Sequence, residues 1–408
     1  MSSQKSVKSS FCALLSMIFL DNLGLIIIYP IFTPLVLKPI YTLLPQDYSL
    51  SVRLILLSAL IAAFPFAQFI AGPIIGHIAD IKGRKPAFIF ALFGEAIGFS
   101  LTGLAIVLMN YPLLFFSRLL TGFFAGNLTI CLSAISDICP DVQRRSKNFG
   151  IASSIIGISF VIAIIIGGIL SDRALNVLFN SSFPFWIMTL FSLVNVFIIV
   201  SCFTDSKPSN RDAIAEKKQF FNLLKGVKHL YFIFFFFMLG WAISLQFLST
   251  FLIEYFTETK TAITSVFIAI GVSWCVGNMG INRFLLRHFH PKKILFYSLI
   301  LSTVSLFVAS ESRDFLLFIH CIIFASLFAS IAWSNCLALI SIKAPSHLQG
   351  KFMGMSQSVA TISVAFAPFF GGMVAGLDIR IIYLFASCSL LIAALILITH
   401  KLNSSFNS

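Results

Sequence analysis

Long apolar runs separated by short polar turns set the pattern of this chain. A helix rises about 1.5 Å per residue, so about 20 apolar residues cross a hydrocarbon core roughly 30 Å thick. Twelve runs of 17 or more residues reach that length, at approximately 11–37, 54–79, 86–108, 113–136, 149–170, 184–203, 230–256, 262–281, 294–310, 315–341, 353–376 and 379–400. The pattern predicts an all-α integral membrane protein of twelve transmembrane helices. The first run follows Lys5 and Lys8, yet it is too long for a secretory signal, carries Asp21 and lacks a clear small-residue cleavage site. It reads as the first permanent helix.

One longer polar stretch, residues 204–229, divides the chain. The expected organisation is an N-terminal six-helix bundle at 1–203, a cytoplasmic linker at 204–229 and a C-terminal six-helix bundle at 230–408. The halves echo each other: "FGIASSIIGISFVIAIIIGG" places Gly150 seventeen residues before Gly167, and "MGMSQSVATISVAFAPFFGG" places Gly354 seventeen before Gly371, 204 residues further on. Parallel repeats of this kind predict two pseudo-symmetric bundles about an axis along the membrane normal, with a site at their interface near mid-membrane.

Composition agrees, with 58% hydrophobic and 11% charged residues in 408. The net charge of +13 raises the question of nucleic acid, but its distribution answers otherwise. Of 28 Lys and Arg, 21 fall in the two tails and the even-numbered turns, against 6 in the odd-numbered loops. The positive-inside rule then places both termini in the cytoplasm, and the basicity is orientation. The eight cysteines, at 12, 131, 139, 202, 275, 321, 336 and 388, lie in helices or at their cytoplasmic ends, without metal-ligand spacing. No disulfide framework, metal or cofactor is expected.

"GPIIGHIADIKGRKP" at 72–86 concentrates charge between two apolar runs. Asp80 near a helix C-terminus faces the negative pole of the dipole, Gly83 permits a tight turn, Pro86 suits the first turn of the next helix, and Arg84 and Lys85 stay in water. These residues, with Gly76, resemble the loop between helices two and three of the major facilitator superfamily, Gly-x-x-x-Asp-Arg-x-Gly-Arg-Arg/Lys, with Ile81 in place of the usual Arg. "RLLTGFFAG", through Arg118, Gly122 and Gly126, is similar to the family's fourth-helix pattern. "SDICPDVQRRSKNFG" resembles the turn that follows it, through Asp137, Pro140, Arg144 and Gly150. The first helix is similar to tetracycline-exporter-like, drug:proton antiporter members in Asp21, Gly24 and Pro30. The resemblance implies that Asp80 meets the start of helix eleven and that Arg84 pairs with Asp137, a cytoplasmic gate of Gly76, Asp80, Gly83, Arg84, Lys85, Asp137 and Arg144. The plainer alternative is a charged loop that only sets topology.

Charges inside the membrane cost about 2.5–3.5 kcal/mol each on insertion scales. Three stand out. Asp21 lies about 15 Å into helix one, Glu95 is central in helix three, and Arg118 enters helix four from the outer side, within reach of Asp21. Asp21, Arg118 and Glu95 are the candidates for proton coupling, the alternative being a structural Asp21–Arg118 ion pair. The acid of tetracycline-exporter-like proteins in helix three stands one turn beyond Glu95. Cavity candidates are Asn127, Trp241, Gln246, Trp274, Asn278, His320, Asn335 and Gln357, although polar side chains also serve helix packing.

The expectation is a monomeric proton-coupled secondary transporter in the inner membrane, working by alternating access and exporting a small amphipathic organic compound. Uptake of a nutrient, organic acid or siderophore is the alternative, because helix five lacks the proline of the antiporters' Gly-Pro-x-x-Gly-Gly and has Ala163 and Ile164 before Gly167. No catalytic constellation suggests an enzyme, and neither the tails nor the linker are long enough to fold as the output domain of a non-transporting sensor.

Overall fold

The structure is a computed structural model that describes all residues except 1, 39–41, 139–141, 173–175, 177, 205–212, 346–347, 376–377 and 406–408. The described residues form helices and turns, in two compact units, Met1–Asn210 and Arg211–Ser408. The N-terminal unit holds α1 (Ser2–Ile26), α2 (Tyr29–Leu37), α3 (Leu50–Lys82), α4 (Arg84–Val107), α5 (Tyr111–Phe124), α6 (Leu128–Ile138), α7 (Val142–Ile169) and α8 (Phe183–Cys202). The C-terminal unit holds α9 (Ala213–Gln246), α10 (Leu248–Glu254), α11 (Lys260–Cys275), a π-helical turn (Val276–Ile281), α12 (Asn282–Leu285), α13 (Pro291–Glu311), α14 (Phe315–Lys343), α15 (Gln349–Ala375) and α16 (Ile381–Ser405).

Ten spans among the described residues are long and apolar enough to cross a membrane, and Tyr111–Phe124 and Ser154–Ile169 are shorter apolar helices. Several apolar runs are broken rather than continuous. The first splits at residues 27–28, just before Pro30, and Pro34 lies inside α2, since proline removes a backbone donor and clashes with the preceding turn. The fourth splits at residues 125–127. The seventh splits at Phe247, and the eighth loosens into the π turn. The expected linker at 204–229 is helical from Ala213 onward, because "AIAEKKQFFNLL" contains strong helix formers and no Gly or Pro, so α9 runs from it directly into the seventh apolar run.

Small residues let the helices of the N-terminal unit approach closely. A Cβ at Gly122 would fall on the carbonyl oxygen of Phe64, so α5 lies directly against the backbone of α3. Gly126 brings the end of the same break to within 3.3 Å of the Gly72 nitrogen, measured from the position its Cβ would take. Between α3 and α4, Gly83 adopts φ 92°, a conformation that side-chain-bearing residues rarely take. In the C-terminal unit α9 packs on α15 and α16, α13 on α14 and α16, and α11 on α14.

Candidate functional site

In the N-terminal unit three polar side chains from separate helices converge. α1 buries Asp21 to 3% exposure, α4 buries Glu95 completely, and the break between α5 and α6 turns Asn127 inward. The Asn127 amide donates from Nδ2 to Glu95 Oε1 at 3.0 Å, to Asp21 Oδ1 at 3.5 Å and to the Phe124 carbonyl at 2.9 Å. Two hydrogens thus serve three acceptors. The carboxyl groups lie close enough to hydrogen-bond to each other once either carries a proton. Asp21 Oδ2, Glu95 Oε2 and Asn127 Oδ1 are buried without a hydrogen-bond partner among the described residues. The cluster therefore has spare acceptors and no spare donor, which a proton on either acid would supply.

Arg118 does not join it. The side chain is fully buried, donates from Nη1 to the Gly24 carbonyl at 3.4 Å, and lies 4.5 Å from the Phe64 ring centroid and 5.7 Å from that of Phe32. Its Nε and Nη2 have no hydrogen-bond partner among the described residues. The expected contact with Asp21 fails because Arg118 stands nine residues before Asn127, roughly 13 Å along a helix axis, and meets α1 at Gly24. The guanidinium is held instead by aromatic faces.

At the other end of α3, Gly76 has open space where a Cβ would project. Arg84 opens α4, and Lys85 Nζ donates to the Val200 carbonyl at 2.7 Å, tying that end to α8. The side chains of Asp80, Asp137 and Arg144 lie outside the described residues, so the expected gate contacts are not among those the structure describes.

The C-terminal unit gathers amides and indoles. Trp241 stacks on Trp274 with centroids 5.4 Å apart and planes tilted by 31°, and Trp333 follows at 6.5 Å and 56°. Asn278, in the π turn, accepts from Ser334 Oγ at 2.6 Å, and Asn335 donates to Asn282 Oδ1 at 2.7 Å. Gln246 donates to the Val364 carbonyl at 3.1 Å. Gln357 is half-buried. His320 is exposed, with Nδ1 2.6 Å from the Leu316 carbonyl one turn back on its own helix, so its described contact is local. Trp333, Ser334 and Asn282 were not among the sequence candidates, although "WSN" beside Asn335 carried the signal.

Long apolar helices, several of them broken at mid-span, with a buried acid pair in one unit, define a multi-pass membrane transport protein. Solved structures share the fold: the human organic anion transporter MFSD10 (TETRAN) at TM-score 0.72 and 17% identity, covering 96% of this chain and 99% of that one. A D-xylose-proton symporter matches at TM-score 0.76 and 15% identity, covering 96% and 97%.

The chain belongs to the Major Facilitator Superfamily, whose sequence profile matches residues 11–307 and 230–405. It is a transporter rather than an enzyme. Multidrug resistance protein 1 of Bacillus subtilis is 25% identical over 84% of this chain and 86% of that protein. Multidrug resistance protein 2 of the same organism is 26% identical over 93% and 92%. Tetracycline resistance protein, class H, of Pasteurella multocida is 28% identical over 41% of this chain, a match that spans only 38% of that protein.

Proposed function

We propose that the chain is a proton-driven antiporter that exports a small amphipathic organic compound by alternating access. The buried Asp21–Asn127–Glu95 cluster carries this reading, because paired acids in a dry helical bundle are costly and serve as a proton relay where they persist. Relatives named for multidrug and tetracycline resistance support the substrate class. In the cycle a proton held between Asp21 and Glu95 is exchanged for substrate, and Arg118 of α5, which meets α1 at Gly24 one turn beyond Asp21, biases which state holds it.

The working form is a monomer of twelve crossings in two six-helix bundles, in a bacterial inner membrane with both termini cytoplasmic. Gly76, Asp80, Gly83, Arg84, Lys85, Asp137 and Arg144 close its cytoplasmic side. Uptake is the second reading, favoured by one observation: Pro368 lies inside α15, whereas α7 contains no proline.

Proteoliposomes with an imposed pH difference separate the two. Antiport drives ethidium, a lipophilic organic cation, into the compartment from which protons leave. Co-movement of dye and proton supports uptake, and dye movement that ignores the pH difference overturns proton coupling.

A further inference from the structure

The chain has four tryptophans, and they divide into two kinds. Trp186 is the fourth residue of the span Phe183–Cys202 and is 41% exposed, the interfacial placement expected of an indole in a membrane protein. Trp241, Trp274 and Trp333 sit in mid-span instead, at the sixteenth of 29 residues, the fourteenth of 25 and the nineteenth of 29. Trp241 is 6% exposed and backs onto Trp274, while Trp274 and Trp333 are only half-buried. Their planes diverge by 56° at 6.5 Å, so neither ring covers the other's face. Four residues beyond Trp274, on the same helix face, Asn278 sets a polar edge whose amide is held by Ser334.

We infer that Trp274 and Trp333, backed by Trp241 and edged by Asn278, form a stacking site for a planar aromatic compound, cationic rather than anionic. The inference deepens the proposed transport of an organic compound and rests on that reading for its physiological sense. Aromatic faces carry negative potential and attract cations while repelling anions. The C-terminal spans keep Lys, Arg, Asp and Glu at their ends, leaving no mid-span cation to hold an anion. The half-open indoles set a ring's orientation, and the Asn278 amide meets a polar substituent on its rim.

Binding is measured on the purified full chain without any proton gradient, by anisotropy of proflavine, a planar cationic aminoacridine. Acridine-9-carboxylate provides the planar anion, and amantadine, as competitor, a cation without a plane. Saturable proflavine binding is expected, weakened at least about tenfold in Trp274→Ala and Trp333→Leu and within about threefold of wild type in Trp274→Phe, since stacking on an aromatic face contributes about 1–3 kcal/mol. In the Trp186→Phe chain every remaining indole belongs to the site, so proflavine should quench its fluorescence strongly. Absence of saturable binding, binding by the Ala and Leu variants equal to wild type, or displacement of proflavine by amantadine or by acridine-9-carboxylate as effective as by a second planar cationic aminoacridine would overturn the inference. A chain that binds proflavine but moves no protons keeps the stacking site and loses the antiport reading, and the reverse result does the opposite.

Discussion

In the N-terminal unit the mid-helix polarity is ionisable and buried: Asp21, Glu95 and Arg118 are each 3% exposed or less. In the C-terminal unit the helices carry amides and indoles instead: Asn278 and Trp274 meet Ser334 and Trp333 of α14, Trp274 also meets Trp241 of α9, and Asn335 of α14 donates to Asn282 of α12. The scaffolds nevertheless run parallel, since each unit opens with a helix that breaks late, after Ile26 in one and after Gln246 in the other. Broken helices free backbone groups and aim side chains inward, which membrane proteins tolerate only inside protein or along a cavity. One scaffold thus carries two chemistries. On the proposed reading, ion handling belongs to the first unit and recognition of an organic body to the second.

The harshest way to break the comparison is to break the scaffold of one unit. Gly122→Val drives methyl groups into the Phe64 backbone, and overpacking of about 1–3 kcal/mol or more should lower folded yield at least about tenfold by size-exclusion chromatography. Gly280→Ala, with open space at its Cβ, should fold as wild type.

Next come the two chemistries. Glu95→Gln and Asn127→Ala should each cut gradient-driven flux at least about tenfold, a loss of about 1.4 kcal/mol in the coupled step, with proflavine binding unchanged. Asn278→Ala should instead raise KM about threefold to tenfold, the range of one lost hydrogen bond, with unaltered proton movement per substrate. If both sets of variants shift flux and KM alike, the division of labour is wrong.

A buried charge need not be functional, and Arg53 sharpens that point. It is 4% exposed and donates to the carbonyls of Tyr48 at 3.2 Å, Val36 at 2.8 Å and Pro45 at 2.6 Å, strapping the loop between α2 and α3. Arg53→Ala should cost about 3 kcal/mol and lower Tm by about 5–10 °C, while flux per folded molecule stays constant.

The smallest effect is expected at Asp378, outside the spans. Hydrogen bonds from Arg380 hold its carboxyl below the usual carboxylate range. Such a group stabilises the fold above the ordinary Asp range and loses that contribution as pH falls through its lowered value. The pair is exposed to solvent, so Asp378→Asn should move Tm by less than about 1 °C at pH 7, and by progressively less as pH falls below the ordinary Asp range.

Hydropathy made the long helices legible, and spacing gave depth along each one. Depth is not azimuth, however. Length alone puts Asp21 and Arg118 within reach of each other, but packing turns Arg118 onto Phe64 and brings Glu95 and Asn127 to Asp21. The role of Asn127 depends on the break at 125–127, which "AGN" hints at through its glycine but does not locate. His320 shared the apparent depth of a cavity residue and proved exposed on its unit. The helical continuation through 213–229 was hidden because a polar helix and a polar linker have similar composition.

The division between the units is tested most directly by internal pH in proteoliposomes of wild type and Asp21→Asn, under an imposed proton gradient, with proflavine as the added compound. Ion handling by the N-terminal unit predicts compound-triggered proton movement in wild type and none in the variant, with proflavine bound equally by both. Equal transport of proflavine by both proteins without proton movement would contradict it, leaving Asp21 as a structural group.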